Sequence, residues 1–313
     1  MAIVDSGALA LSAIQAEFGG SHPISLSEYY RNGGAVPSNN TNVATSGAIN
    51  VGSFYSAVNE IGVTVSSGAS TYNVQTAAFS SYWTTAVPKR LTINSGVTLG
   101  HLTIPASMAG TLIIDHSGAV QGLGGTGNGG AGSTAMTIQS TGVTINMASG
   151  STISGGGGAG GNGGTGGQGS ASANSCSCGG TPSPCNPGGW YGGGCCQEND
   201  NGCANFILCC YNNNYYSGGA GGTAGVGQGY NQSRTDGGGG SSGGTNAGTG
   251  GSGGNAGAFG IAGNNGATGA NGNSTNGSAG SNGGASGRAI TFSGVSAYTI
   301  IGTASGTIHG AYT

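Results

Sequence analysis

The chain has 313 residues, of which 74 are glycine and only 13 are charged, five Lys or Arg and eight Asp or Glu. About a quarter of the residues are charged in an average globular protein, so an ordinary globular composition is excluded, and such low charge also argues against a typical disordered chain. A net charge of -3 offers no basic patch, so we expect no nucleic-acid partner. No apolar run approaches the roughly 18 residues that span a bilayer, so we expect no membrane insertion. The N-terminal stretch carries Asp5 and lacks a basic region, so it is not expected to be a secretory signal.

Residues 1–57 are predicted to form a small module with its own core. Ser6 precedes an apolar run that stops at Gly19, which is typical of a short capped helix. Ser25 and Glu28 form a capping-box pattern that opens a second helical turn. The aromatic residues of this module are expected mainly in its core, with a docking surface as the alternative; they are Tyr29, Tyr30, Phe54 and Tyr55.

The module also contains an internal repeat. The sequence SGALALSAI from Ser6 recurs as SGAINVGSF from Ser46, with three of nine positions identical. The apolar character is kept at the pairs Leu9/Ile49, Leu11/Val51 and Ile14/Phe54. We expect the two half-repeats to pack on each other or on one partner surface.

Residues 58–120 change to a period of two. Segments such as LTINSGVTLGHLTI alternate β-branched or leucine residues with polar ones and break at Ser-Gly, which predicts short strands and tight turns. The same pattern returns near residues 135–154 and again after residue 288. The sequence therefore predicts one compact β layer that the chain leaves and rejoins.

Glycine at every third position dominates the next region. A three-residue period fits neither a helix face nor a strand face, but it fits the polyproline II turn, whose backbone must hydrogen-bond sideways. A collagen helix needs abundant proline, and residues 238–287 contain none. We therefore favour a bundle of polyglycine II helices over collagen or a disordered linker. The longest register is Gly248, Gly251, Gly254, Gly257, Gly260, Gly263, Gly266, Gly269 and Gly272.

All eight cysteines lie within residues 176–210. An even number in one short stretch predicts a local disulfide framework, although four bridges allow 105 connectivities. A thiolate metal site is the alternative, but the stretch holds neither a CxxC pair nor a histidine, so no metal and no cofactor are expected. The cysteines are Cys176, Cys178, Cys185, Cys195, Cys196, Cys203, Cys209 and Cys210.

Aromatic and amide residues interrupt the glycine in and after the cysteine-rich stretch. Tyrosine, asparagine, serine and glycine are the residues that antibody binding loops favour, so a binding surface is predicted here. Its candidate residues are Trp190, Tyr191, Phe206, Tyr211, Tyr215, Tyr216 and Tyr230. The alternative is that these aromatics cap the ends of the bundle, which is the interpretation preferred for Phe259.

Catalytic patterns are weak in this sequence. The acidic residues are scattered apart from Glu198 and Asp200, which are read as a surface pair rather than a glycosidase pair. The four histidines show no metal-ligand spacing, and His116 beside Asp115 is expected to be solvated. The sequence therefore predicts no catalytic residue and no enzyme.

The glycine triplets and the strands TINSGVTL and TISGGGGAGG resemble the distal tail-fibre adhesins of tailed bacteriophages, especially those of T4-like phages. The N-terminal SGALALSAIQAEFGGSHPISLSEYYRNGG is similar to a segment common in phage tail-tip and fibre proteins. The resemblance implies receptor-binding loops displayed on a polyglycine II domain, with residues 1–57 attached to another phage tail or fibre protein. It also implies a virion location, a host outer-surface receptor that is a protein or a glycan, and release by lysis as the route to disulfides.

The predicted fold class is mainly β and irregular, with four parts. These are an attachment module at 1–57, a short-strand β base at 58–120, a polyglycine II bundle at 121–287 that contains the disulfide-rich insert at 176–210, and a β return at 288–313. The predicted function is a phage adhesin. A glycine-rich ice-binding protein, a purely structural virion fibre component and a depolymerase fibre are the alternatives.

Overall fold

The computed structural model describes residues 3–312 except 21, 24, 33, 39, 177–193, 196–208, 296–297 and 302–305. One α-helix, α1 (Leu11–Phe18), lies in the N-terminal module. Short 3-10 turns cover Leu26–Tyr29, Val51–Phe54 and Ser80–Tyr82, and a π-helical turn covers Gln75–Phe79.

The rest of the regular structure is β. The strands are, in chain order, β1 (Ile61–Val65), β2 (Ala69–Asn73), β3 (Lys89–Ile93), β4 (Thr98–Ile104), β5 (Leu112–His116), β6 (Ala119–Gln121), β7 (Met136–Ile138), β8 (Val143–Met147), β9 (Thr152–Ser154), β10 (Gly169–Cys176), β11 (Gly194–Cys195), β12 (Cys209–Tyr216), β13 (Ile290–Phe292), β14 (Tyr298–Ile301) and β15 (Thr307–His309).

Two parallel sheets form the body of the molecule. The first has the order β1-β3-β5-β8-β14, and the second runs from β2 through β4 to β6 and β7, and then to β9, β13 and β15. Each strand of the first sheet is followed along the chain by a strand of the second, so the chain winds repeatedly through both. Equivalent residues of successive turns therefore stack in columns, such as Val63, Leu91, Ile114, Ile145 and Ile300. Their alternation with outward-facing polar residues builds one large hydrophobic core.

The glycine-rich segments leave the second sheet at equivalent places. One departs after β6 and returns at β7, and the other departs after β9 and returns at β13. The strands that precede the two excursions, β6 and β9, pair with each other, and the strands that follow them, β7 and β13, also pair; β7 pairs with β4 as well. Each excursion therefore interrupts one winding of the chain between two strands of the second sheet. The excursions therefore project from one side of the sheets.

The N-terminal module has a separate core, in which both half-repeats take part. Phe18, Tyr29 and Phe54 are buried, with ring centroids 6.2 to 6.5 Å apart. The Tyr55 hydroxyl donates to the carbonyl of Gly7, and the Tyr30 hydroxyl donates to that of Gly47, the equivalent position of the second half-repeat.

The local signals of this module have mixed outcomes. The capping box of Ser25 and Glu28 is present as predicted. The predicted Ser6 cap is wrong, because α1 begins after Ala10 and the Ser6 hydroxyl donates to Asp5 instead. The helix ends at Gly19, as the sequence indicated.

The glycine-rich layer, defined as residues 122–134, 155–168 and 217–287, is held together by backbone hydrogen bonds between segments. The N–H groups of Gly157, Gly160, Gly163 and Gly166 donate to residues 219–228, and those of Gly158, Gly161, Gly164 and Gly167 donate to residues 261–270. The segment 155–168 is thus bonded on several sides, once every three residues. The backbones of neighbouring segments lie close together, because a Cβ added to Gly160 would be 1.8 Å from the carbonyl oxygen of Gly254.

Side-chain oxygens complete the bonding at the edges of this layer. The Ser278 hydroxyl accepts from the Thr165 N–H at 2.8 Å, and the Asn128 side-chain oxygen accepts from the Asn162 N–H at 2.8 Å. Such contacts matter because an unpaired backbone group away from water costs about as much as a lost hydrogen bond.

The predicted fold class is nevertheless wrong. Two parallel β-sheets form the body, in place of a single β layer with tight turns beneath a polyglycine II helix bundle. The glycine-rich layer contains no helix. The error has a physical cause, because a three-residue glycine period specifies where backbones approach and not which regular structure forms. A small antiparallel sheet of order β10-β12-β11 lies in and beside the cysteine-rich stretch, and the disulfide framework of that stretch stays a prediction.

Candidate functional site

The far end of the glycine-rich layer is the candidate site. We define it by residues 168–170, 216–217, 243–246 and 273–275, where the segments turn furthest from the parallel sheets. Strands β10 and β12 leave the layer together here, with Gly169 opposite Tyr216 and Ser170 opposite Tyr215. The far end is therefore a cluster of loops around the base of this antiparallel strand pair, which we call the hairpin.

Ser170 is the point on which these loops converge. Its N–H donates to the side-chain oxygen of Asn273 at 2.7 Å, and its carbonyl accepts from the Asn273 amide at 2.9 Å. The amide of Asn246 donates to the same carbonyl at 3.1 Å. The backbone N–H of Asn273 donates to the Asn246 carbonyl at 3.0 Å, which ties the two loops to each other.

Further contacts close the cluster. The Gln168 N–H donates to the Thr275 hydroxyl at 2.7 Å, and the Gln168 carbonyl accepts from the Thr275 N–H at 3.2 Å. The Tyr216 side chain lies against Gly244, where an added Cβ would come within 2.8 Å of the Tyr216 Cβ. Glycine is thus required at residue 244 if the tyrosine is to pack there.

The exposed groups at this end are polar or aromatic and uncharged. Tyr215 is 64% exposed, the largest exposed fraction among the large hydrophobic side chains of the described residues. Asn213 and Asn214 beside it are also exposed, whereas Tyr216 is half-buried. Because residues 237–287 contain no Asp, Glu, Lys, Arg or His, the loops add no charge. Amides, hydroxyls and an aromatic ring can hydrogen-bond and stack on a ligand.

Several predicted site residues lie outside the described residues. They are Trp190, Tyr191, Phe206 and four of the cysteines, Cys178, Cys185, Cys196 and Cys203. Tyr211 lies in β12, opposite Asn174 of β10. The backbones of Cys176 and Cys195 are both opposite Cys209, and that of Cys210 is opposite Ser175 and Gly194. Their predicted disulfides stay a prediction.

The structure does not place Tyr230 with Tyr215 and Tyr216. Its N–H donates to the Gly122 carbonyl at 3.0 Å, close to the point where the layer leaves β6. The segment 217–228 runs between Tyr216 at the far end and Tyr230 beside Gly122. Among the described residues, the predicted receptor contacts Tyr215 and Tyr216 therefore lie at one end of the glycine-rich layer and Tyr230 at the opposite end.

Asn246, Asn273 and Ser170 are the residues of this cluster that sequence reasoning missed. A signal existed, because the two asparagines flank the longest glycine register, Asn246 just before Gly248 and Asn273 just after Gly272. Their partner could not be inferred, since Ser170 is separated from Asn273 by 103 positions.

Titratable groups in the parallel sheets are used for structure. Lys89 is fully buried, and its ammonium donates to the carbonyls of Thr85, Val87 and Ala109 at 2.8 to 2.9 Å. Burial lowers the pKa of Lys89. The Arg90 guanidinium bridges Glu60 at 2.8 Å and Asp115 at 2.7 Å on the outer face of the first sheet.

His116 corrects the expectation of a solvated side chain. It is 1% exposed at the end of β5, and its Nε2 donates to the Thr152 carbonyl at 2.9 Å. Its Nδ1 is buried with no hydrogen-bond partner among the described residues. Burial lowers the pKa of His116, and the contact with the Thr152 carbonyl opposes this shift. The alternation of β5 points His116 inward, between Ile93 and Met147 of the neighbouring strands.

Within the described part of the chain, no group of three or more His, Cys, Asp or Glu residues is arranged to hold a metal ion. None of the helices described has the length and apolar character needed to cross a bilayer.

No family model matches this chain, and the comparison with curated proteins found no match. Among solved structures, the chain is similar to the crystal structure of the gp37-gp38 adhesin tip complex of the bacteriophage S16 long tail fibre. The alignment covers 99% of this chain and 100% of that chain, at 16% sequence identity and a TM-score of 0.39. A similarity of this size leaves the function of this chain to be argued from its own residues.

Proposed function

We propose that this chain is a non-enzymatic adhesin of a bacteriophage tail fibre or tail tip, which binds a host surface receptor through the far end of its glycine-rich layer. The observation that carries the proposal is the cluster at that end. Loops distant in sequence are joined there by hydrogen bonds at the base of the hairpin, which exposes Tyr215, Asn213 and Asn214. Such rigid presentation reduces the entropy that is lost on binding.

The N-terminal module is proposed to attach the chain to another phage tail or fibre protein. It has its own core, and Asn32 of the module accepts a hydrogen bond of 2.7 Å from the hydroxyl of Tyr82, in the turn between β2 and β3. A cavity of about 230 Å³ opens beside α1, lined by Ile3, Val4, Ala8, Leu9, Ala13, Ala16 and Glu17. This cavity offers space for an apolar side chain of the attachment partner.

A binding role without catalysis fits the use made of the charged residues. Asp115 accepts hydrogen bonds from both Arg90 and Asn146. These contacts stabilise successive strands and leave the carboxylate without the raised pKa that a general acid needs.

The test is adsorption of the purified full chain to cells of the bacterium that the parent phage infects. Tyr215→Ala should weaken binding by roughly 1 to 4 kcal/mol, the usual range for a central aromatic contact. Tyr312→Ala is the matched control, because Tyr312 is 50% exposed but lies near the C-terminus, next to Ile290 of the second sheet. Replacement of residues 171–215 by a short Gly-Ser link should abolish adsorption.

Two results would contradict the proposal. Undiminished adsorption after the replacement would exclude the far end as the receptor site. If Tyr230→Ala abolished binding while Tyr215→Ala did not, the receptor site would instead lie at the opposite end, in the loop that contains the exposed ion pair of Arg234 and Asp236.

A further inference from the structure

The hairpin of β10 and β12 leaves the glycine-rich layer through a narrow attachment. Its first paired residues are Gly169 and Tyr216, followed by Ser170 and Tyr215. The direction in which Tyr215 points is therefore set by how the backbone is held at Ser170, directly across the strand pair.

One side chain holds both polar groups of the Ser170 backbone. The Asn273 amide accepts from the Ser170 N–H at 2.7 Å and donates to the Ser170 carbonyl at 2.9 Å. A neighbouring β-strand would satisfy the same two groups with its own backbone. Asn273 thus substitutes for a strand at the outer edge of β10.

Asn246 supports this contact from a second loop. Its amide donates to the same Ser170 carbonyl, and its own carbonyl accepts from the Asn273 N–H. Asn246 has a φ of 56°, a conformation that asparagine adopts more readily than most residues. Two loops of the layer are therefore fixed to one residue of the hairpin.

We propose that Asn273, with Asn246 in support, is a positioning residue for receptor binding: it fixes the orientation of the hairpin and so of Tyr215, without touching the receptor. This inference rests on the proposed function. It distinguishes residues that contact the receptor from residues that orient the contacting side chain. The second role is assigned to Asn246 and Asn273, which lie 76 and 103 positions after Ser170 in the chain.

The test compares Asn273→Ala, Asn246→Ala and Asn276→Ala in the full chain. Asn276 is an exposed amide of the same loop with no side-chain hydrogen bond among the described residues, so it is the matched control. Adsorption should weaken roughly tenfold for Asn273→Ala and less for Asn246→Ala, which removes a single side-chain bond and places alanine at a φ of 56°. Asn276→Ala should bind as the parent chain does. Hydrogen exchange should accelerate at the Ser170 amide in Asn273→Ala but not at the amides of residues 157–167.

The outcomes distinguish this inference from the proposed function. If residues 171–215 prove dispensable for adsorption, the proposed function fails. If they are required but Asn273→Ala and Asn276→Ala bind alike, the positioning role is overturned and the function stands. If Asn273→Ala lowers the melting temperature of the whole chain, Asn246→Ala provides the test instead. Unchanged adsorption of Asn246→Ala, together with faster hydrogen exchange at the Ser170 amide, would also overturn the positioning role.

Discussion

Substitution of Gly163 tests whether the glycine-rich layer is a packed structure. Gly163 lies in the segment 155–168, and a Cβ added to it would be 1.9 Å from the Gly251 carbonyl oxygen. Ordinary van der Waals contact begins at about 3.4 Å, so the two segments would have to separate by roughly 1.5 Å. That shift would break neighbouring hydrogen bonds such as the one of 2.8 Å from the Gly251 N–H to the Gly164 carbonyl.

The magnitude follows from these contacts. Overpacking costs about 1 to 3 kcal/mol, and each backbone hydrogen bond left unmade adds about 1 kcal/mol. With two such bonds lost, Gly163→Ala should lower the free energy of unfolding by about 3 to 5 kcal/mol. For a chain of this size, that corresponds to a fall of roughly 10 °C in the melting temperature.

Gly239→Ala is the matched control. Gly239 belongs to the same layer, but a Cβ added there meets nothing within 4 Å. The control should be neutral or stabilise by up to about 1 kcal/mol, because alanine restricts the unfolded chain. Thermal unfolding followed by calorimetry measures both variants. Equal melting temperatures for the two would refute the close packing of the layer.

Three further predictions concern the sheets and the module. Burial lowers the pKa of His116 in the folded chain. As the pH falls below about 6.5, the histidine is therefore protonated more readily in the unfolded state, and the free energy of unfolding should decrease. His116→Leu should reduce this dependence of stability on pH, measured by denaturation at a series of pH values. Lys89→Met leaves the carbonyls of Thr85, Val87 and Ala109 without their donor and should cost roughly 2 to 5 kcal/mol in urea unfolding; an unchanged midpoint would contradict this. Deletion of residues 1–57 should leave a chain that adsorbs to host cells but is missing from assembled particles, and its incorporation at normal copy number would argue against an attachment role.

The strands could be predicted from the sequence because their burial alternates. In β3, Leu91 and Ile93 are buried while Thr92 faces outward, and this is the pattern that the period of two indicated. The parallel arrangement could not be predicted. A Ser-Gly break such as that at Ser95 and Gly96 fits a hairpin as well as a corner between two sheets, and the choice depends on which distant strands share a core.

His116 shows the same limit in a single residue. A polar residue beside Asp115 at the end of a strand suggested solvent, yet the strict alternation of β5 places Asp115 outward and His116 inward. The outward position gives Asp115 its contacts with Arg90 and Asn146. The alternation along the strand indicates an inward position for His116, whereas the polar character of histidine favoured a solvent-exposed one.

The candidate site was located by composition but not by its contacts. Tyrosine and asparagine mark the hairpin because exposed aromatics and amides are unusual in a glycine-rich chain, so Tyr215 could be proposed from the sequence. Asn273 could not, because the glycine-rich layer contains many asparagines and nothing in the sequence indicates which of them contact Ser170. Glycine brings the segments close enough for this contact, since each segment lacks the Cβ atoms that would hold its neighbours apart. The period that identifies the glycine-rich layer therefore also determines where its loops meet, and a change at Gly163 should alter the orientation of Tyr215 as well as stability.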